Sequence, residues 1–138
     1  MYTARAFVAG IVAAAVACVA MLLVRSAGVP LDIPTRLAMM FGASGLVLGV
    51  LFYLVAGGLI ALIYAVVFEW VLNQAGVGAG LLLGACNTII AGFLWQGGSD
   101  PGRFWQHFGA AGMASLFFVH FVYGGVVGGL YKTKHHVL

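Results

Sequence analysis

Between Arg5 and Arg25 the chain reads Ala6-Phe-Val-Ala-Gly-Ile-Val-Ala-Ala-Ala-Val-Ala-Cys-Val-Ala-Met-Leu-Leu-Val24, nineteen consecutive residues without a charge. As a helix this stretch is about 28 Å long, close to the ~30 Å hydrocarbon core of a bilayer. The apolar region of a signal peptide is shorter, about 7–15 residues, so the segment is expected to be retained as a first spanning helix. Ala15-Val-Ala-Cys18 resembles a lipoprotein cleavage box, but it lacks the usual Leu and the apolar run continues past Cys18. Lipidation is therefore not expected.

The same pattern recurs outward from this stretch. Arg25 to Arg36 holds Gly28, Pro30 and Pro34 and reads as a polar turn. A second charge-free run goes from Leu37 to Phe68, longer than one crossing requires, and is expected to tilt or to begin with an interfacial stretch. Glu69, Asn73 and Gln74 mark a short return, and Val77 to Trp95 is the third span. Gln96 to Arg103 is the next turn, Gly109 to Tyr131 the fourth span, and residues 132–138 form a basic tail with Lys132, Lys134, His135 and His136.

Apolar residues make up 64% of the 138 positions and charged ones 7%, against roughly 25% charged in a soluble domain. Four crossings use about 80 residues, which leaves no room for an extramembrane catalytic domain, a Rossmann or P-loop unit, or a nucleic-acid-binding module. The expected fold is an all-α integral membrane protein, a bundle of four transmembrane helices forming one domain.

The chain also matches itself. Shifted by 67 positions, Pro34-Thr-Arg-Leu-Ala-Met-Met-Phe-Gly-Ala-Ser-Gly45 lies over Pro101-Gly-Arg-Phe-Trp-Gln-His-Phe-Gly-Ala-Ala-Gly112 with six identities. Val55, Gly57, Gly58 and Tyr64 then fall on Val122, Gly124, Gly125 and Tyr131, ten identities over 31 positions. Ahead of this, Ala9-Gly-Ile-Val matches Ala79-Gly-Leu-Leu at a slightly different offset. These matches predict two tandem helical hairpins, about 6–68 and 77–131. A two-helix unit returns to its starting side, so the copies are parallel repeats related by an axis along the membrane normal.

The duplication places Arg36 beside Arg103 on one membrane face, with Asp32 and Asp100 ahead of the two Pro-x-Arg turns as local counter-charges. Arg36 and Arg103 read as interfacial anchors or as a site for lipid phosphate or another anion, and Lys132 and Lys134 of the tail read separately as a lipid-headgroup anchor on the opposite face. Each face carries three basic residues, Arg5, Lys132 and Lys134 against Arg25, Arg36 and Arg103. The positive-inside count is thus tied. The N-terminal amine and the tail histidines favour both termini in the cytoplasm, and the expected membrane is a bacterial inner one.

Glycine supplies 21 of the residues. Gly45 with Gly49, Gly76 with Gly80 and Gly84, Gly124 with Gly128, and Gly125 with Gly129 form small-xxx-small faces that let helices approach closely. Such an abundance is expected to leave one glycine face outward for a partner, either another copy or a larger membrane complex.

Cys18, Tyr53, Cys86, Asn87, Thr88, His120 and Tyr123 all fall near the middle of their spans. An ionisable residue at that depth is a functional-site hypothesis by default. His120 is the one such residue; Tyr53 takes its place in the other copy, and Asn87 is an expected hydrogen-bond partner. His120 reads as structural glue bonded to Asn87, Thr88 or a backbone carbonyl, as a ligand for haem or a chlorophyll-type pigment, or as a proton relay. Bis-His haem is excluded for lack of a second deep His. His107 is read as part of an interfacial aromatic belt, and both cysteines as inert apolar residues. There is no nucleophile–base–acid set, carboxylate pair, zinc motif or phosphate loop, so no enzymatic activity, metal or resident cofactor is expected. The chain reads first as an accessory or structural membrane subunit, alternatively as a small oligomeric transporter or channel lined by the midplane residues, and third as a pigment-binding subunit.

Overall fold

The computed structural model describes residues 3–96 and 103–131, with side chains for 3–91 and 109–131. The described residues form five helices and no strand: α1 (Thr3–Ser26), α2 (Ile33–Met40), α3 (Leu46–Trp70), α4 (Val77–Gln96) and α5 (Arg103–Leu130). Three of them are long and apolar enough to cross a membrane, α1, α3 and the Gly109–Leu130 part of α5, and α4 is apolar over Val77–Ala91. This is the make-up of a helical integral membrane protein.

The second apolar run differs from one continuous tilted helix. Its excess length is a separate short helix, α2, ended by a glycine in the left-handed region. Ala43 N–H donates to Ala38 O and Gly42 N–H to Met39 O, both at 3.0 Å, with Gly42 at φ +71°. This pattern satisfies the last carbonyls of α2 and turns the chain away from the helix axis. The matching glycine of the second Phe-Gly-Ala-x-Gly stretch, Gly109, is also left-handed at φ +49° and interrupts α5.

Packing inverts the order found in water. On α1 the inward stripe is small: Ala6, Ala13, Ala14 and Ala17 are fully buried, while Val8, Val12, Val19, Leu22 and Leu23 are exposed. Hydrocarbon offers bulky apolar groups a home on the outside, so helices associate where small residues let backbones meet. α1 packs on α3 at Gly10 and Gly57; a Cβ on Gly10 would lie 2.5 Å from the Ala61 Cβ, and one on Gly57 would lie 2.6 Å from the Ala14 Cβ. α4 packs on α5 through Gly80, Gly84, Gly124 and Gly128, where added Cβ atoms would strike facing backbone. α1 against α5 joins the two pairs, α2 lies on α3, and α3 and α4 barely touch.

The glycines distribute accordingly. Gly76 presents its carbonyl to Gly128, whereas a Cβ added to Gly125 or Gly129 would lie 3.5 Å from the Leu81 or the Val77 side chain respectively. Gly49 packs on Pro34, and Gly45 is the exposed N-cap residue of α3 at φ +100° with nothing within 4 Å of an added Cβ. The close-approach faces on α4 and α5 are thus turned toward each other rather than left outward for a partner. The surface is instead bulky and apolar, most of all on α3, whose span is 22% buried against 44% for α1.

Candidate functional site

Residues expected at mid-depth fall on the α4–α5 seam and on the contact between α5 and α3. His120 is buried on α5, and its Nδ1 lies 2.9 Å from the Leu116 carbonyl oxygen one turn earlier. A carbonyl only accepts, so Nδ1 is the donor in this contact, and in the neutral ring Nε2 then keeps the lone pair. The His120 carbonyl faces Gly84, where an added Cβ would sit 2.5 Å from the oxygen. One turn along α4, buried Thr88 donates from Oγ1 to Gly84 O at 3.0 Å. Both polar side chains therefore satisfy themselves on their own helices. Among the described residues no hydrogen bond joins His120 to Asn87, which is half-buried on α4.

Tyr123 reaches between helices. It is buried on α5 and donates from its hydroxyl to Gly57 O on α3, beside the close approach of Gly57 to Gly10. Tyr53 is half-buried against the core. Cys18, half-buried, and Cys86, exposed, are free thiols on α1 and α4. Arg36 is exposed on α2, while Asp32 pairs with Arg25 at 3.9 Å and caps α2 by accepting from Thr35 N–H at 3.2 Å. Asp100, Lys132, Lys134, His135 and His136 lie outside the described residues, as do the side chains of Arg103 and His107.

The structure adds a column of aromatic rings that sequence reading did not assemble. Tyr64 meets Tyr123 edge-on at 5.8 Å between ring centroids and Phe68 edge-on at 6.2 Å, and Phe68 stacks on Tyr131 at 6.0 Å. The column runs from mid-depth to the end of α3, where the Tyr131 hydroxyl donates to Oε1 of buried Glu69 at 2.8 Å. The Tyr64 hydroxyl is buried with no hydrogen-bond partner among the described residues. A signal for the column existed: Tyr64 and Tyr131 are the matched tyrosines of the self-alignment. Glu69 looked like a turn marker because it is the first charge after the second apolar run.

Chemically, this arrangement holds helices in register. No three His, Cys, Asp or Glu side chains converge among the described residues. No family model, curated protein or solved structure matches this chain.

Proposed function

We propose that this chain is a non-enzymatic accessory or structural subunit of a membrane assembly, docking on a larger complex or on copies of itself. The observation that carries the reading is that His120, Thr88 and Tyr123 each bond a backbone carbonyl inside the bundle. His120 and Thr88 bond carbonyls of their own helices and Tyr123 bonds one on α3, so these polar hydrogens are spent inside the bundle rather than on a substrate. α3 turns Leu51, Val55, Leu59, Ile63 and Val66 outward, a broad apolar flank for a neighbouring protein or lipid.

In this reading four helices cross the membrane as two tandem hairpins of like orientation. Support comes from the Gly10–Gly57 approach, which recurs as Gly80–Gly124, and from the left-handed glycines Gly42 and Gly109 at matched positions. The membrane is a bacterial cytoplasmic one, with both termini in the cytoplasm. Mild-detergent extraction followed by mass spectrometry tests the role. The expected result is a stable oligomer or a co-purifying membrane protein; a monodisperse monomer with no companion would overturn it.

A second reading is favoured by the tautomer of His120. Metal-binding histidines characteristically donate their other ring N–H to a carbonyl or carboxylate, and here Nδ1 does so while Nε2 retains its lone pair. A tetrapyrrole would take that nitrogen. Visible absorbance of protein purified from its native membrane decides: a Soret or chlorophyll-type band lost in His120→Ala supports the pigment, and a colourless preparation ends it.

A further inference from the structure

Asn87 lies ten residues beyond Val77, the first residue of α4. That is about 15 Å along the helix axis, half the depth of a ~30 Å hydrocarbon core. Its primary amide carries two donors and an acceptor oxygen with two lone pairs. The residue is half-buried, and its amide makes no hydrogen bond among the described residues. The other polar groups at this depth differ from it: Thr88, His120 and Tyr123 each close on a backbone carbonyl of the bundle. Around the amide α4 is largely open, since it packs on α5 and barely touches α3. Leu82, Cys86, Ile89 and Ile90 are exposed, and Ile90 shares the face of Asn87 three residues on. Acyl chains suit the apolar members of this flank. They offer nothing to an amide, which in hydrocarbon is costly until another polar group bonds it.

We propose that Asn87 is the centre of a seam between two copies of this chain, α4 against α4 about a two-fold axis along the membrane normal. The inference rests on the reading of the chain as a subunit that assembles with its own copies, and it names the surface. In a two-fold contact one patch meets itself, so a residue at the axis faces its own mate at equal depth. An amide is complementary to itself there, because each Asn87 donates N–H to the other's side-chain oxygen and accepts in return. Polar side chains of this kind join helices in a bilayer, and one Asn between paired helices also fixes their register. Leu82, Ile89 and Ile90 supply apolar packing beside the amide pair.

The test uses the full chain in phosphatidylcholine vesicles, fused to donor or acceptor fluorescent proteins, with energy transfer followed as lipid dilutes the protein. The unaltered chain should dimerise. Asn87→Leu, which keeps bulk without the amide, should weaken the dimer about tenfold, as two interhelical hydrogen bonds of about threefold each require. Asn87→Gln should retain most of the affinity. Cross-linking keeps the seam testable if Asn87→Leu fails to fold. A bismaleimide should link copies of the Cys18→Ala chain through Cys86, and should not link copies of the Cys86→Ala chain through Cys18, half-buried on α1. Undiminished affinity in Asn87→Leu, or linkage through Cys18 as readily as through Cys86, would overturn this seam while leaving self-association standing. A monomer that co-purifies with a different membrane protein would overturn the second copy and leave the accessory role standing. A monomer without companion would remove both.

Discussion

The α4–α5 seam and the α1–α3 seam both rely on glycine, but they use it differently. At α4–α5 the glycines of one helix face those of the other, so a Cβ added to Gly124 meets Gly80 C at 3.0 Å and Gly84 N at 3.1 Å. At α1–α3 the partner surface mixes backbone with alanine: a Cβ on Gly57 meets Gly10 O at 3.0 Å but meets the Ala14 methyl first, at 2.6 Å. Backbone cannot be trimmed away, whereas a methyl can. The comparison predicts that Gly124→Leu is the most damaging single change, costing about 3 kcal/mol or more as an overpacked contact with no room to relax. Reversible unfolding in mixed micelles, followed by helical circular dichroism, measures it. A cost near zero would mean that the two helices separate freely and that the seam does not hold them.

Gly57→Ala tests the other side. It should cost about 1–3 kcal/mol, and Ala14→Gly introduced with it should recover part of that loss by removing the opposing methyl. Gly124→Ala has no such single rescue, because its obstacles are main-chain atoms. The same unfolding assay on the double variant checks this, and strictly additive losses would show that Ala14 and Gly57 do not share one contact.

This difference also sets what the sequence can reveal. The spans were legible because runs without charge have the length of a bilayer, whereas the inward alanine stripe of α1 emerges only from the packing. The break between α2 and α3 was less legible, since Gly42 and Gly45 lie in an apolar run and glycine is common inside spanning helices. At the site, the depth of His120 and Thr88 could be counted, but their partners could not. Those partners are the carbonyls of Leu116 and Gly84, and a backbone oxygen has no letter of its own. Glu69 depends on Tyr131, 62 residues away, and only the folded bundle brings them together.

That distant pair gives the third prediction. Tyr131→Phe removes the donor to Glu69 and should cost about 1–2 kcal/mol. Glu69→Gln retains an oxygen able to accept the Tyr131 hydroxyl and should cost less. Unfolding in mixed micelles ranks the two variants. The reverse order would assign the stabilisation to the Glu69 carboxyl's other contacts rather than to Tyr131.

The smallest effects separate two tyrosines that sit edge to edge. Tyr123 and Tyr64 have similar burial, but the Tyr123 hydroxyl is bonded to Gly57 O and the Tyr64 hydroxyl has no partner among the described residues. Hydrogen bonds between membrane helices average about 0.6 kcal/mol and reach about 1.7 kcal/mol; Tyr123→Phe should fall in that range. Tyr64→Phe keeps the ring and its edge contacts while removing a buried hydroxyl, so it should be neutral or slightly stabilising. If Tyr64→Phe instead costs as much as Tyr123→Phe, the Tyr64 hydroxyl is bonded within the bundle, and an ordered water between α3 and its neighbours becomes the simplest acceptor. Mid-depth hydroxyls would then stabilise alike, and the contrast between a bonded and an orphaned tyrosine would disappear.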